Sequence, residues 1–378
     1  MKNIVILGST GTIGQNTLEV VRKGTERFRI IGLACRGNKG LLGQQITEFS
    51  PVCVYTEEKD DLFEQRFPGV RFLHGSEGLE EMGVVDGADI VICAIPGIST
   101  LGAVCSAIRK KRIIGLATKE ILVVGGHIIT RLTGRYGSCI LPVDSEHNAL
   151  FQALEGIKRE DIRKIYLTAS GGPFGGKPAG RNVTVKDVLS HPVWKMGRKI
   201  TVDSATMMNK AFEVIEAHYL FGLPADRIEV LIHPEALIHG MVEMNDGTVK
   251  GIFSAPDMKF PINFVLDYPC REKTAWHSID FGKMQKLTLS PVDRNSAWFS
   301  LAVTAIERKG SFPVVMNAAN EEAVNLFLRE KIKFGSILDI VQKVVCMHTP
   351  RKEVSLEEIF EIDAWAKEKV REITEKKR

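Results

Sequence analysis

Three acidic side chains define the first candidate centre in this chain. Asp144 and Glu146 stand at i and i+2, just past an apolar run that reads as a strand. In an extended segment two such side chains point the same way. Glu213, on the polar side of a helical stretch, offers a third carboxylate. Carboxylate oxygens with coordination positions left open suit Mg2+ or Mn2+ rather than zinc. Read alone, the Asp-x-Glu pair also fits an exposed turn, or a helix N-terminus capped by Ser145.

Two further groups of residues could hold anions. Ser170-Gly171-Gly172 follows a strand ending at Thr168, and Gly-rich turns expose backbone N–H groups. With Ser204, Asn209 and Lys210 this turn makes a candidate phosphate pocket, although a Ser-Gly-Gly turn by itself is also simply a turn. The second group is Gly8-x-x-Gly11-x-x-Gly14, after a strand and before a helix. There the glycines tighten the turn and bring backbone close to a pyrophosphate at the helix N-terminus. The next strand ends in Ala34-Cys35-Arg36-Gly37-Asn38-Lys39, with two cations and no carboxylate. That favours the 2′-phosphate of NADPH over the free ribose of NADH. A Gly-rich turn that binds another nucleotide, or none, remains the alternative.

The stretch from His191 to Ala217 joins these groups. Trp194 and Met196 favour burial, while Lys195, Arg198 and Lys199 favour water or anions, and Gly197 leaves the backbone pliable. This predicts a flexible loop over about 191–200, with Trp194 covering the substrate. The opposite reading anchors Trp194 in the core. Beyond the loop, Met207, Met208, Ala211, Phe212, Val214 and Ile215 fall on one side of a helix, with Asn209, Lys210, Glu213 and Glu216 on the other. Asp203 or Ser204 stands where its N-cap is expected. As a plain helix this would be a surface helix with a solvated charged face.

The elements that position these residues follow from periodicity. Apolar runs at 4–7, 28–35, 52–55, 90–94, 113–116 and 138–143 alternate with helical stretches, which implies a parallel sheet with right-handed crossovers. Further strands are predicted at 162–168 and 229–232, and a hairpin over 241–253 around Asp246-Gly247. Helices are predicted at 297–306, 318–328, 337–345 and 355–373, the last opening on a capping box at Ser355. The fold class is α/β: a Rossmann-like domain over 1–144, a central α+β catalytic domain over 145–290, and a C-terminal helical bundle over 291–378.

Bulk properties narrow the function classes. With 50 basic and 46 acidic residues the net charge is +4, too balanced to argue for nucleic acid. The cysteines, Cys35, Cys53, Cys93, Cys105, Cys139, Cys270 and Cys346, show no C-x-x-C spacing, so neither a metal site nor a disulfide framework is expected of them. MKNIVILG enters a strand at once, and no apolar run reaches spanning length. A cytoplasmic enzyme without a membrane partner is expected.

Taken together, the blocks resemble one family, 1-deoxy-D-xylulose 5-phosphate reductoisomerase. They are GSTGTIGQNTLEV at 8–20, ATKE at 117–120, LPVDSEHNALFQ at 141–152, TASGGPF at 168–174, the stretch at 191–217, IHPEALIH at 232–239, PDMKFPI at 256–262 and MNAANEEAV at 316–324. The resemblance spans essentially the whole chain. It implies a homodimer that rearranges a small phosphorylated sugar and reduces it with NADPH, giving 2-C-methyl-D-erythritol 4-phosphate, with Mn2+ or Mg2+ (Co2+ as a further option). It implies Asp144, Glu146 and Glu213 as metal ligands and Lys119 as a catalytic residue beside them. It also implies substrate contacts from Lys119, Ser145, Glu146, Ser170, His191, Trp194, Ser204, Asn209, Lys210 and Glu213. Thr10, Gly11, Thr12, Ile13, Arg36, Gly37, Asn38, Thr118, Glu120 and Gly197 would contact NADPH. The chain departs from the family's usual pattern at Thr118 (usually Asn), Thr12 (Ser), Ala169 (Gly) and Ala236 (Ser).

Two other functions fit the residues read one motif at a time. An NADP-dependent dehydrogenase of a phosphorylated hydroxy-acid or semialdehyde would dispense with the rearrangement and with the metal. A non-catalytic NADP-binding protein would not require Lys119, Asp144, Glu146 and Glu213 together.

Overall fold

Short, continuously apolar runs cannot be satisfied on a one-sided sheet, and here they form strands covered on both faces. In the computed structural model, which describes residues 1–176, 183–190, 193–194, 196–274, 276–284 and 286–375, the first seven strands are β1 (Lys2–Leu7), β2 (Phe28–Cys35), β3 (Cys53–Thr56), β4 (Arg71–Leu73), β5 (Ile90–Cys93), β6 (Ile113–Leu116) and β7 (Ile140–Pro142). They form one parallel sheet in the order β4-β3-β2-β1-β5-β6-β7. Helices α1 (Thr12–Lys23), α2 (Lys39–Phe49), α3 (Asp61–Glu64), α4 (Gly75–Met82), α5 (Leu101–Arg109) and α6 (Glu120–Tyr136) are the crossovers. The order reverses between β1 and β5, the switch point where such sheets bind nucleotides. β4 went unpredicted because three residues at a sheet edge carry too little pattern.

The chain continues through α7 (Ser145–Leu154) into a second, mixed sheet. Its strands are β8 (Ile162–Ala169), β9 (Ile228–Ile232), β10 (Ile238–Met244), β11 (Val249–Phe253) and the two-residue β12 (Ser290–Pro291), in the order β11-β10-β8-β9-β12. The predicted hairpin is β10–β11. Gly247 supplies the left-handed turn residue at φ 85°, and Met244 N donates to Thr248 O at 2.9 Å. Between β8 and β9 come α8 (Val185–Val188), α9 (Arg198–Thr206) and α10 (Met208–Phe221). Then follow α11 (Lys259–Asp267), α12 (Ala297–Arg308), α13 (Ser311–Leu328), α14 (Ser336–Met347) and α15 (Leu356–Glu375). The capping box at the start of α15 is present, with Ser355 N donating to Glu358 Oε2 at 2.8 Å and Glu358 N to Ser355 Oγ at 3.2 Å.

Contacts divide the chain into two units. The first comprises 1–121, 129–148 and 257–277, so α11 belongs with the parallel sheet, packing on α1, β6 and β7. Lys2 Nζ holds the end of α11 through the carbonyls of Leu266, Asp267 and Tyr268 at 2.9, 3.1 and 2.7 Å. The second unit comprises 122–128, 149–256 and 278–378. In it α10 packs on β8 and β9, while α13 packs against α14, α15 and α9. No described helix is long and apolar enough to cross a membrane.

Candidate active site

In the first unit, the glycine run sits at the C-terminal end of β1. Gly8 adopts φ +100°, and a Cβ there would lie 2.8 Å from the backbone of Ala94. A Cβ on Gly14 would lie 2.2 Å from Gly8 O. Both glycines are demanded by the fold. Gly11 is different: its φ is −79° and a Cβ would meet only Gly8 O, at an ordinary 3.5 Å. Among the described residues nothing requires glycine at 11, whereas a pyrophosphate approaching the backbone would. Thr10, Gly11, Thr12 and Ile13 gather at the N-terminus of α1, whose first N–H groups receive no side-chain cap. Such N–H groups are anion donors.

Arg36, Gly37 and Asn38 form the exposed link from β2 to α2. Asn38 caps α2, its Oδ1 accepting from Leu41 N at 3.1 Å. Arg36 pairs with Glu57 at 3.1 Å and Lys39 with Asp60 at 2.8 Å. Thr118 is buried, and its hydroxyl donates to Ile95 O at 2.9 Å, so this side chain ties the ends of β5 and β6 together. Glu120 lies in the first turn of α6.

Lys119, just after β6, and Asp144, just after β7, meet, with Lys119 Nζ 2.6 Å from Asp144 Oδ2. Lys119 is buried, and the Asp144 side chain is only 11% exposed. His147 Nδ1 lies 3.2 Å from Asp144 Oδ1. Burial works against a charged Asp144, but the Lys119 ammonium, reinforced by the His147 hydrogen bond, holds its carboxyl well below the usual carboxylate range. The extended geometry expected for Asp144 and Glu146 is not observed. Asn148 N donates to Asp144 O at 2.8 Å, so α7 begins here and Glu146 stands in its first turn. Helix onset, favourable for anionic side chains, brings these groups together instead of strand alternation. Ser145 does not cap the helix; its hydroxyl bonds the Glu146 carboxylate. Sequence reading did not assign a role to His147. The Asp-x-x-His spacing at a helix start was the available signal.

In the second unit, β8 leads into the turn at 170–172, where Gly171 and Gly172 adopt φ +83° and +60°. A Cβ on Gly172 would lie 2.9 Å from Ser204 O, so Ser170's turn and Ser204's helix are in close contact. The helix N-cap expected at Asp203 or Ser204 is not there. Gly197 caps α9, and Asp203 and Ser204 lie inside it. Met207, at φ 64°, then breaks the helix before α10. The alternative of a surface helix with a solvated charged face does not hold for α10: Lys210, Glu213 and Glu216 are 3%, 1% and 0% exposed. Buried charges need partners. Lys210 Nζ donates to Thr168 O at 2.6 Å and pairs with Glu213, which also accepts from Asn209 Nδ2. Trp194 is half-buried, its ring 6.4 Å from that of His239, which in turn bonds Ser254 O at 3.1 Å. His191 lies outside the described residues.

The fold and these residues define a class: an α/β enzyme with a dinucleotide-binding parallel sheet and a buried carboxylate–lysine centre. Comparison with known proteins identifies the family. Family models match residues 4–126 (1-deoxy-D-xylulose 5-phosphate reductoisomerase), 140–221 (its C-terminal domain) and 253–369 (DXP reductoisomerase C-terminal domain). The reductoisomerase of Thermodesulfovibrio yellowstonii is 44% identical over 372 residues, covering 97% of this chain and 98% of the relative. That of Geotalea uraniireducens is 44% identical over 380 residues, covering 99% and 98%. Among solved structures, the Zymomonas mobilis enzyme in complex with NADPH superposes with a TM-score of 0.91 at 36% identity, covering 99% of each chain. A DOX-P reductoisomerase in complex with NADPH, fosmidomycin and magnesium superposes at 0.92 and 33% identity, covering 99% of this chain and 98% of that one. The chain belongs to the 1-deoxy-D-xylulose 5-phosphate reductoisomerase family.

Proposed function

We propose that Asp144, Glu146 and Glu213 share one divalent cation, Mg2+ or Mn2+, and that Lys119 works beside them on the substrate. The reaction is the family's: NADPH-dependent rearrangement and reduction of 1-deoxy-D-xylulose 5-phosphate to 2-C-methyl-D-erythritol 4-phosphate. The observation that carries the reading is the Lys119–Asp144 pair, in which a nearly buried carboxylate is kept ionised as a metal ligand must be. A cation held there supplies Lewis-acid polarisation of the substrate carbonyl and neighbouring hydroxyl.

The remaining roles belong to the chain itself. Ser170, His191, Ser204, Asn209 and Lys210 bind the phosphate, and Ser145 contacts the sugar. Trp194 closes over the substrate and excludes water before hydride transfer. Thr10, Gly11, Thr12, Ile13, Gly37, Asn38, Glu120 and Gly197 hold NADPH, with Arg36 on its 2′-phosphate. Thr118 acts on the nucleotide pocket through the backbone its hydroxyl holds. By function the chain divides into nucleotide-binding (1–144), catalytic (145–290) and helical (291–378) portions. It works as a cytoplasmic homodimer on a small phosphorylated sugar, without nucleic acid or membrane.

One assay tests the reading: consumption of NADPH with 1-deoxy-D-xylulose 5-phosphate, with and without EDTA. Turnover abolished by EDTA and restored by Mn2+ is expected. Turnover insensitive to EDTA would favour a metal-free dehydrogenase.

A further inference from the structure

The block MNAANEEAV at 316–324 lies in α13, and none of the roles above uses it. Asn317 and Asn320 stand one turn apart on this helix, both fully buried. Among the described residues, both polar atoms of the Asn317 side chain and Asn320 Oδ1 have no hydrogen-bond partner. A helix packing only to bury apolar surface gains nothing from carboxamides, which lose their hydration there.

Asn320 has one definite task. Its Nδ2 donates to Asp203 Oδ1 at 2.7 Å. Asp203 lies within α9, is 1% exposed, and pairs with Lys199 Nζ at 2.8 Å one turn earlier in that helix. Ser204 is the next residue, and its backbone carbonyl abuts Gly172 of the Ser170 turn. Helix α9 is therefore held on one side by Asn320 of α13 and on another by the Gly-rich turn.

We propose that Asn320 is a positioning residue for the substrate-phosphate end of the site. It fixes Asp203, and through it the placement of α9, so that Ser204 meets the phosphate in register. The inference rests on the assignment of Ser204 to the substrate phosphate. A buried carboxylate that loses a donor relaxes toward another, and the short helix carrying it shifts with it.

The test is steady-state kinetics on the full-length enzyme with Asn320→Leu, Ser204→Ala, and the exchanged pair Asn320→Asp with Asp203→Asn. Asn320→Leu should raise KM for 1-deoxy-D-xylulose 5-phosphate on the order of tenfold, the scale of one lost charge-assisted hydrogen bond. KM for NADPH should rise much less than KM for the substrate, since Asn320 bonds Asp203, the neighbour of Ser204, while Gly197, the NADPH contact on α9, stands at the helix's other end. The exchanged pair keeps one donor, one acceptor and one negative charge, and should recover most of the substrate KM. A lowered melting temperature with unchanged substrate KM would overturn the proposal, because Asn320 would then only support the fold. Equal losses for substrate and NADPH would also overturn it. If Ser204→Ala leaves substrate KM unchanged, the phosphate assignment itself falls. If Ser204→Ala raises it while Asn320→Leu does not, only the role of Asn320 falls. Should Asn320→Leu fail to fold, the exchanged pair decides, since it must retain substrate KM where Asn320→Asp alone does not.

Discussion

Lys119 Nζ and Asp144 Oδ2 stand 2.6 Å apart in the parallel-sheet unit, their side chains 5% and 11% exposed. Breaking a buried pair by removing one member leaves the other charge uncompensated, at about 3–5 kcal/mol. Lys119→Met should therefore lower the melting temperature of the metal-free enzyme and abolish most turnover. Adding Asp144→Asn should recover the melting temperature without recovering activity. Thermal melts and kcat on the two variants check this, and near-normal kcat in Lys119→Met would remove Lys119 from the reaction.

Cofactor preference depends on Arg36, which pairs with Glu57 on the surface. Such an exposed pair is worth no more than about 1 kcal/mol. A charge-assisted bond to a phosphate is worth roughly 1.5–3 kcal/mol, so the 2′-phosphate can draw the guanidinium from Glu57. Arg36→Ala should weaken NADPH far more than NADH, and Glu57→Gln should tighten NADPH modestly. Fluorescence titration with both nucleotides measures each. Equal losses for the two in Arg36→Ala would show that Arg36 serves another purpose.

Trp194 is half-buried against His239, not sealed in the core. Trp194→Ala should raise KM for the substrate and lower kcat, with NADPH affinity and melting temperature nearly unchanged. A melting temperature lowered by many degrees would mean the indole is a core residue, and the covering role would be withdrawn.

Stability should fall in mild acid through His218. Burial pushes its pKa below the ordinary 6.5, with Lys309 and Arg159 acting the same way and the hydrogen bond to Leu223 O opposing. The folded state thus favours neutral imidazole. That contribution is fully present above the unfolded value near 6.5 and is lost as pH falls from there toward the folded value. The loss cannot exceed about 1.4 kcal/mol per pH unit for one group. His218→Asn should show a shallower decline in melting temperature below pH 6.5 than the parent. Parallel declines would assign the acid sensitivity elsewhere.

Much of this arrangement is legible in residue order because its signals are local. The apolar runs of β2 and β6 are bounded by turn residues, and Gly8 and Gly14 are forced by contacts within one βα unit. Asp144 and Glu146 were identifiable as a pair, but for a reason the chain does not use, since i and i+2 meet here at a helix onset. The break at Met207 leaves no trace in sequence because methionine is an ordinary helix former. The burial of Lys210 and Glu213 depends on a carbonyl of β8, forty-two residues away from Lys210. The return of α11 to the first sheet rests on packing against α1, β6 and β7 and on bonds from Lys2, the first residue of β1, more than 260 positions away in sequence. Periodicity describes a segment's own faces and cannot report which distant element covers them.

The most direct test of the account is metal binding itself. Titration of Mn2+ into the parent enzyme and into Asp144→Asn, Glu146→Gln and Glu213→Gln, followed by electron paramagnetic resonance of the free ion, measures each carboxylate's contribution without turnover. The account predicts that all three variants fold and that each binds Mn2+ much more weakly than the parent, because a charged ligand has become neutral. Parent-like Mn2+ affinity in Glu213→Gln would contradict a shared three-carboxylate site.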